Sequence, residues 1–232
     1  MDRRPKLIMR QPRRLGDIII NLPIAKWMVD RGSHIIWPVD DEYRPLFEYV
    51  DYVEPVEKQW QTGEVLPSLN LGLNFEHCHA ETKKFYGEQK DSFDVWRYKQ
   101  AGVPFSEKHN LVLTPPPHGR QIELFDHLGL MGQQYVVMHE NGSAGRNHAF
   151  NLTTLLKIVA IGPTPGFCLF DWIMVIANAQ EGWFVDSSVA NLVEGLNLLT
   201  GRRHFRPWWG HYGANFLLTT PVMSPDWDVI QA

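Results

Sequence analysis

The sequence predicts an α/β protein with two halves, each built on a parallel sheet, that face each other across a central cleft. Two observations predict this class. Apolar segments of strand length alternate with helical patterns over the first 56 residues, and a similar alternation returns after residue 134. Such an alternation is typical of parallel sheets with helices on their faces. The chain of 232 residues is long enough for two small domains with buried cores.

The first half is predicted to follow the order strand, helix, strand, helix, strand. The five segments are 6–10, 17–30, 34–37, 42–49 and 52–56. Pro23 interrupts the first helical pattern, so we expect a kink there or a helix that begins near residue 21. Beyond these segments, the sequence indicates a strand at 71–75 and a helix at 91–101.

Three consecutive prolines at 115–117 indicate a domain boundary, because they favour an extended chain and exclude regular structure. We therefore predict an N-terminal domain at 1–114 and a C-terminal domain at 118–232. In the second domain the predicted strands are 135–139, 158–162 and 183–185, and the predicted helices are 169–177 and 189–196. The residues from 202 onward are rich in Pro, Gly and Trp and are predicted to form a tail that wraps over the body.

Composition and charge exclude several classes of protein. The net charge of −4 argues against general binding of polyanions, although the basic residues within the first fourteen positions form either a solvated terminus or a phosphate-facing patch. Cys78 and Cys168 are far apart, which argues against a disulfide framework or a structural zinc site. No signal peptide or bilayer-spanning segment is visible, so a cytoplasmic location is expected.

The turn from Arg14 to Asp17 follows the first predicted strand. Ligands of parallel α/β sheets bind beyond the carboxyl ends of the strands, so this turn is expected to open into the cleft. Gly16 allows a tight turn. Asp17 either caps the helix that follows or supplies a functional carboxylate, and its position alone favours the cap. Arg14 and Gly16 are candidates to contact an acceptor or a phosphate.

A second turn, from Asn141 to Arg146, follows the strand at 135–139. Its backbone N–H groups and the hydroxyl of Ser143 are suited to bind phosphate, and Arg146 can clamp two phosphate oxygens. An ordinary glycine-rich loop is the alternative. His139 and Glu140 stand at the end of the strand beside this turn, and one of them is a candidate to contact the same ligand.

A third turn places Asp186, Ser187 and Ser188 between a predicted strand and a predicted helix. A helix N-terminus attracts anions, although Asp and Ser also occur there simply as caps. Taken together, the turns suggest a division of labour. The second half would hold a nucleotide diphosphate, and the first half would offer a base to an acceptor.

Other candidate sites are weaker. Glu76–His79 contains metal-ligand residue types, but adjacent residues rarely converge on one tetrahedral ion, so no metal site is predicted. Trp208 and Trp209 either cover a sugar or pack in the core, and packing is favoured. No nucleophile elbow of a Ser–His–Asp enzyme and no HExxH motif occurs.

At these residues the chain resembles a known family. The segment 14–23 resembles the opening motif of lipopolysaccharide heptosyltransferase-type glycosyltransferases, in which an Arg–x–Gly–Asp turn begins a first helix that contains a proline. The segment 185–192 is similar to the Asp–Ser–Gly–x–x–His segment of their second half, with Ser188 and Asn191 at the Gly and His positions. The stretch 135–146 resembles the strand and donor-phosphate turn of that family.

The resemblance implies a GT-B architecture, in which two Rossmann-like halves face each other across a cleft, and it implies inverting sugar transfer without a required metal or cofactor. Asp17 would then be the general base, since a carboxylate can take the proton of the attacking hydroxyl. Asp186, Ser187 and Ser188 would mark the donor-phosphate turn, joined by Ser143 and Arg146, with helix N-termini and Arg stabilising the departing diphosphate.

The sequence therefore predicts a glycosyltransferase that moves a hexosyl, heptosyl or pentosyl group from a nucleotide-sugar to an acceptor hydroxyl. The expected acceptor is a glycan or glycolipid, and a nucleic acid such as a modified base in DNA is the alternative. Two other functions remain open. One is a sugar-nucleotide 2-epimerase-like isomerase, and the other is a catalytically silent nucleotide-sugar-binding protein.

Overall fold

The computed structural model describes residues 4–11, 14–71, 92–114, 118–142, 149–199, 201–207 and 221–230. It contains a four-stranded sheet in the first half and a five-stranded sheet in the second half, with parallel strands throughout both sheets. Helices connect and cover the strands. The predicted fold class, two Rossmann-like α/β halves, is confirmed.

The first sheet has the strand order β3-β2-β1-β4. Its strands are β1 (Lys6–Arg10), β2 (His34–Val39), β3 (Val53–Glu57) and β4 (Ser68–Asn70). Helix α1 (Leu15–Asp30) connects β1 to β2, and a 3₁₀ helix (Asp41–Tyr49) connects β2 to β3. After β4 come helix α2 (Phe93–Ala101) and a second 3₁₀ helix (Phe105–His109). A strand was predicted at 71–75, but Leu71 follows the end of β4 and does not lie in a strand, so the prediction is wrong at this position. Residues 72–75 lie outside the described part.

Helix α1 begins earlier than predicted and contains Pro23 in its interior. A start near residue 21 is therefore wrong. Proline removes one helical hydrogen bond and costs about 3 kcal/mol in a helix interior. However, every residue from Ile18 to Ala25 is buried, and each fully buried Ile or Leu contributes roughly 1.5–3 kcal/mol. The free energy gained by burying these side chains in the core of the first half thus outweighs the cost of the proline in the helix interior.

The second sheet has the order β6-β5-β7-β8-β9. Its strands are β5 (Tyr135–His139), β6 (Lys157–Ala160), β7 (Glu181–Val185), β8 (Arg202–Arg206) and β9 (Trp227–Val229). The helices are α3 (His118–His127), a 3₁₀ turn (Leu169–Trp172) that leads into α4 (Ile173–Ala177), and α5 (Ser188–Gly195).

Strands β8 and β9 correct the prediction of an irregular tail after residue 202. Their sequences, Arg-Arg-His-Phe-Arg and Trp-Asp-Val, lack the apolar run that marks a buried strand. The polar side chains of β8 find partners instead. Arg203 donates to the carbonyl of Leu199, and His204 pairs with Glu181 on the neighbouring strand. The sequence prediction also missed helix α3.

The two halves pack directly against each other. Phe170 and Leu192 of the second half belong to the hydrophobic cluster that fills the first half, and Tyr49 meets Phe170 edge to face. Residues 115–117 lie outside the described part, so the boundary between 1–114 and 118–232 stays a prediction. None of the described helices is long and apolar enough to cross a membrane.

Candidate functional site

Both sheets have a topological switch point, and the described parts of the predicted turns lie at these points. In the first sheet the chain leaves β1 toward β2 and later returns on the other side of β1 as β4. In the second sheet it leaves β5 toward β6 and returns on the other side as β7. Crevices at the carboxyl ends of such strands are where open α/β sheets bind ligands. Arg14–Asp17 follows β1, Glu140 follows β5, and Asp186–Ser188 follows β7.

The first and third turns meet in space. A Cβ atom added to Gly16 would lie 3.5 Å from the backbone N and Cα of Ser188 and 3.3 Å from Nδ2 of Asn191. The first turn of α1 therefore packs against the first turn of α5, and a Cβ atom at position 16 would be in tight contact with the side chain of Asn191. We call this region, formed by Gly16, Asp17, Asp186, Ser188 and Asn191, the α1–α5 junction.

Asp17 is held at the junction by an arginine that sequence reasoning did not identify. Nη1 of Arg97 donates to Oδ1 of Asp17 at 2.9 Å, and the Arg97 side chain is 1% exposed whereas that of Asp17 is 18% exposed. The guanidinium also lies 5.0 Å from the ring of Phe93. Within the described residues the second carboxylate oxygen of Asp17 has no partner. It is thus positioned by one oxygen and open at the other.

Asp17 does not act as the N-cap of α1. The N-cap position belongs to Arg14, which has a positive φ of 64° and supplies no side-chain cap. The N–H groups of Asp17 and Ile18 both donate to the carbonyl of Arg14. The alternative reading of Asp17 as a simple cap is therefore wrong. Arg14 itself is exposed at this turn.

A fully buried ion pair lies beside the junction. Nζ of Lys108 is 3.0 Å from Oδ2 of Asp94, and both side chains are at most 3% exposed. Asp94 also accepts hydrogen bonds from the backbone N–H of Val222 at 3.0 Å and of Val95 at 3.0 Å, while Lys108 donates to the carbonyl of Val222. This pair ties the segment before β9 to α2.

Asp186 is the carboxyl group with the most perturbed environment at the junction. Burial raises the pKa of Asp186 to about 7, and the negative charges of Asp94 and Asp17 contribute in the same direction, while Lys108 opposes them. Within the described residues its side chain has no hydrogen bond or ion pair. Strongly perturbed carboxyl groups of this kind are common in functional sites.

We expect the perturbation of Asp186 to appear in the pH dependence of stability. Because its folded-state pKa is raised from 3.8 to about 7, the folded protein retains a proton that the unfolded chain loses. The stabilisation that this proton provides is complete below pH 4 and disappears as the pH rises to 7. The free energy of unfolding of the wild type, compared with that of Asp186→Asn by urea titration at several pH values, should fall across this window. Parallel pH profiles for the two proteins would contradict this expectation.

His139 at the end of β5 and Ser187 at the N-cap of α5 form a hydrogen-bonded pair. Nδ1 of His139 lies 3.0 Å from Oγ of Ser187, and burial lowers the pKa of His139 to about 4, so the imidazole is neutral at pH 7. Oγ of Ser187 also accepts the N–H of Ala190 at 3.4 Å and so caps α5. Ser187 is thus a helix cap, which is the alternative that the sequence offered for this turn. A cap at this position does not exclude an anion at the same helix end.

The remaining candidate residues have mixed outcomes. Glu140 accepts the backbone N–H of Phe150 at 2.6 Å, so one of its oxygens is occupied within the chain. Ser188 begins α5 at the junction and is partly exposed. Ser143 and Arg146 lie outside the described residues, as do Glu76–His79, Trp208 and Trp209, and their assignments stay predictions.

Sequence reasoning missed Arg97, Asp94 and Lys108. All three lie in segments with ordinary amphipathic patterns, where a buried charge cannot be distinguished from a solvated one. Arg97 and Asp17 are 80 residues apart in the chain, so no local pattern connects them. The only local signal was the helical pattern at 91–101. It placed Arg97 on a helix but did not indicate which face of that helix carries it.

No protein-family model and no curated protein matches the chain. Solved structures do match its fold. A glycosyl transferase of family 9 from Veillonella parvula is 13% identical, with a TM-score of 0.55 over 88% of this chain and 80% of that one. The iron-containing dodecameric glycosyltransferase TibC from enterotoxigenic E. coli is 12% identical, with a TM-score of 0.54 over 88% of this chain.

The E. coli heptosyltransferase WaaC, solved with ADP-2-deoxy-2-fluoro heptose, is 12% identical, with a TM-score of 0.50 over 98% of this chain and 93% of that one. TibC is considerably longer, since the chain spans 58% of its length. At these identities the matches show a shared fold. The resemblance noted in the sequence thus has structural neighbours in family 9 and heptosyltransferase proteins.

Proposed function

We propose that this protein is a glycosyltransferase that moves a sugar from a nucleotide-sugar donor to an acceptor hydroxyl, with Asp17 as the base. The observation that carries the proposal is the α1–α5 junction. It brings a carboxylate with one open oxygen beside the N-terminus of α5. A Cβ atom added to Gly16 would lie 3.5 Å from the backbone of Ser188 at this helix end.

The junction has the two parts that the reaction needs. The first N–H groups of a helix have no partner within the helix and attract anions, so the start of α5 is suited to a diphosphate. These groups would stabilise the negative charge that develops on the departing diphosphate. Asp17 would take the proton of the acceptor hydroxyl as that oxygen attacks the sugar. In this mechanism the sugar inverts its configuration and no metal ion is required.

The neighbours support the choice of donor class. WaaC was solved with a fluorinated ADP-heptose, and TibC was solved in complex with ADP-D-beta-D-heptose. Together with the anion-suited start of α5, this favours a nucleoside diphosphate sugar as the donor of the present protein. A glycan or glycolipid is the proposed acceptor, and a modified base in DNA is the alternative to be included in an acceptor panel.

A thermal-shift screen with nucleoside diphosphates and their sugars tests the donor site. A ligand at 100 times its dissociation constant stabilises the folded state by about 2.7 kcal/mol, so one base should raise the melting temperature more than the others. The stabilising nucleotide-sugar is then incubated with the acceptor panel, and release of the nucleoside diphosphate is measured. No stabilisation by any member of the screen would refute the proposal.

The same assay separates the other two functions. Conversion of the nucleotide-sugar in the absence of an acceptor would identify an isomerase. Binding without conversion, hydrolysis or transfer across the whole panel would identify a catalytically silent binding protein. Only acceptor-dependent release of the nucleoside diphosphate supports a glycosyltransferase.

A further inference from the structure

Arg97 approaches the carboxylate of Asp17 from the interior of the protein. Its Nη1 donates to Oδ1 at 2.9 Å, and its side chain is 1% exposed whereas that of Asp17 is 18% exposed. The guanidinium therefore lies on the buried side of the carboxylate. Within the described residues Oδ2 of Asp17 has no partner, so the contact with Arg97 decides which oxygen is left for a ligand.

Helix α2, which carries Arg97, is itself fixed against α1. The hydroxyl of the fully buried Tyr98, the next residue along the chain, donates to the carbonyl of Ile20 on α1 at 3.0 Å. One turn before Arg97, the carboxylate of Asp94 is paired with Lys108 at 3.0 Å. Packing and hydrogen bonds thus hold the helix that presents Arg97 to the α1–α5 junction, as a precise site requires of its supporting residues.

Stability alone does not explain a buried guanidinium at this position. Removing a charge from water is costly, and the cost is recovered only if the ion pair has good geometry and the remaining hydrogen bonds are satisfied. Nε of Arg97 has no hydrogen-bond partner within the described residues, and the carboxylate of Asp17 is partly exposed. An apolar side chain of similar size is often no less stable in such a place. The arrangement therefore points to a role of Arg97 in holding Asp17.

We propose that Arg97 is a positioning residue of the transfer reaction: by holding Oδ1 of Asp17 from the buried side, it directs Oδ2 into the cleft toward the acceptor hydroxyl. The inference rests on the proposed function, in which Asp17 takes the proton of that hydroxyl. Arg97 itself touches neither donor nor acceptor, because its side chain is buried behind the carboxylate. It acts only through the geometry of Asp17.

The gain from this positioning is kinetic. A carboxylate without a fixed partner rotates among several side-chain conformations, and only some of them point an oxygen at the acceptor. A misplacement of about 1 Å can lower the rate of a reaction about 10²-fold. The diphosphate, by contrast, is expected at the N-terminus of α5, whose N–H groups do not depend on Arg97. Loss of Arg97 should therefore slow the chemical step and leave donor binding intact.

Arg97→Met removes the guanidinium and keeps an unbranched side chain. It should lower kcat about 10²-fold, while KM for the donor and Kd for the nucleoside diphosphate stay near their wild-type values. Arg97→Lys should restore most of the lost rate, because the contact with Asp17 uses a single nitrogen and an ammonium group can donate the same hydrogen bond. Lys99→Met, an exposed change on the same helix, is the matched control and should keep the wild-type kcat.

A double-mutant cycle distinguishes positioning from a structural role. In the Asp17→Asn background, Arg97→Met should change kcat by no more than about twofold, because the group through which Arg97 acts has already been removed. A residue that merely supports the fold would lower kcat equally in both backgrounds. The melting temperature of every variant is recorded. If Arg97→Met does not fold, Arg97→Gln takes its place in the cycle, because its shorter side chain carries no charge and still has a polar end.

The possible failures are distinguishable. A folded Arg97→Met protein with the wild-type kcat, or an equal loss of kcat in the wild-type and Asp17→Asn backgrounds, would overturn the inference and leave the proposed function intact. If the wild type itself transfers no sugar to any acceptor of the panel, the proposed function fails and the inference fails with it.

Discussion

Asp17→Asn is expected to lower the rate of sugar transfer by about 10²–10⁴-fold, the range that general base catalysis contributes, with little change in the affinity for a nucleoside diphosphate. Asn has the same shape as Asp, so the α1–α5 junction should keep its geometry. It cannot take a proton from an acceptor hydroxyl. The measurement is kcat with the donor and acceptor identified by the screen, together with Kd for the nucleoside diphosphate.

The design of this experiment separates chemistry from folding. Asp30→Asn changes the same residue type on the same helix at its exposed end and should retain the wild-type kcat. Asp17→Asn also weakens the ion pair with Arg97, whose side chain is 1% exposed, so the melting temperature of each variant is recorded. A folded Asp17→Asn protein with wild-type kcat would remove Asp17 as the base, and the carboxyl of Asp186 would be the next group to test.

Asp94→Asn is expected to destabilise the protein by about 3–5 kcal/mol, the typical cost of leaving one member of a buried ion pair without its partner. Lys108 is 3% exposed and would keep its charge without a carboxylate at 3.0 Å. For a chain of this size each kcal/mol corresponds to roughly 2–4 °C, so the melting temperature should fall by roughly 10 °C. Urea denaturation measures the same loss as a free energy.

A surface pair on α1 provides the matched control. Lys26 and Asp30 also form an ion pair, but Asp30 is half exposed, and such pairs are worth at most about 1 kcal/mol. Asp30→Asn should therefore change the melting temperature by only a few degrees. The double variant Asp94→Asn with Lys108→Met removes the stranded charge and should be more stable than Asp94→Asn alone. A double variant that is less stable would show that hydrogen bonds, rather than the unpaired charge, cause the loss.

Much of the site could be predicted because its turns are local features. Arg14–Asp17 lies between an apolar strand and an apolar helix, and Asp186–Ser188 has the same relation to β7 and α5. Parallel topology then places both turns at carboxyl ends of strands, where ligands bind. Even so, the role of Asp17 was ambiguous in the sequence, since Asp is a common N-cap, and only the geometry excluded the cap.

The limits of local patterns are clearest at Pro23 and β8. Pro23 suggested a later helix start because a proline in a helix interior costs free energy. Burial of the stretch from Ile18 to Ala25 outweighs this cost. The sequence of β8 contains three arginines and suggested no buried strand. Its residues Arg203 and His204 are buried, with Nε of Arg203 donating to the carbonyl of Leu199 and Nε2 of His204 paired with Glu181. The partner of His204 depends on the position of β8 beside β7.

The sequence by itself determined the α/β class, the alternation of strands and helices over residues 6–57 and 135–195, and the positions of the Arg14–Asp17 and Asp186–Ser188 turns, because hydrophobic periodicity and turn residues act over a few neighbouring positions. Only the tertiary structure decided that Gly16 meets Ser188, that Arg97 holds Asp17, and that Asp186 has no ion pair among its described neighbours. These features depend on groups that are 80 or more residues apart in the chain. The electrostatic interactions between these groups depend on burial and on the distances between the charges, and both are set only by tertiary packing.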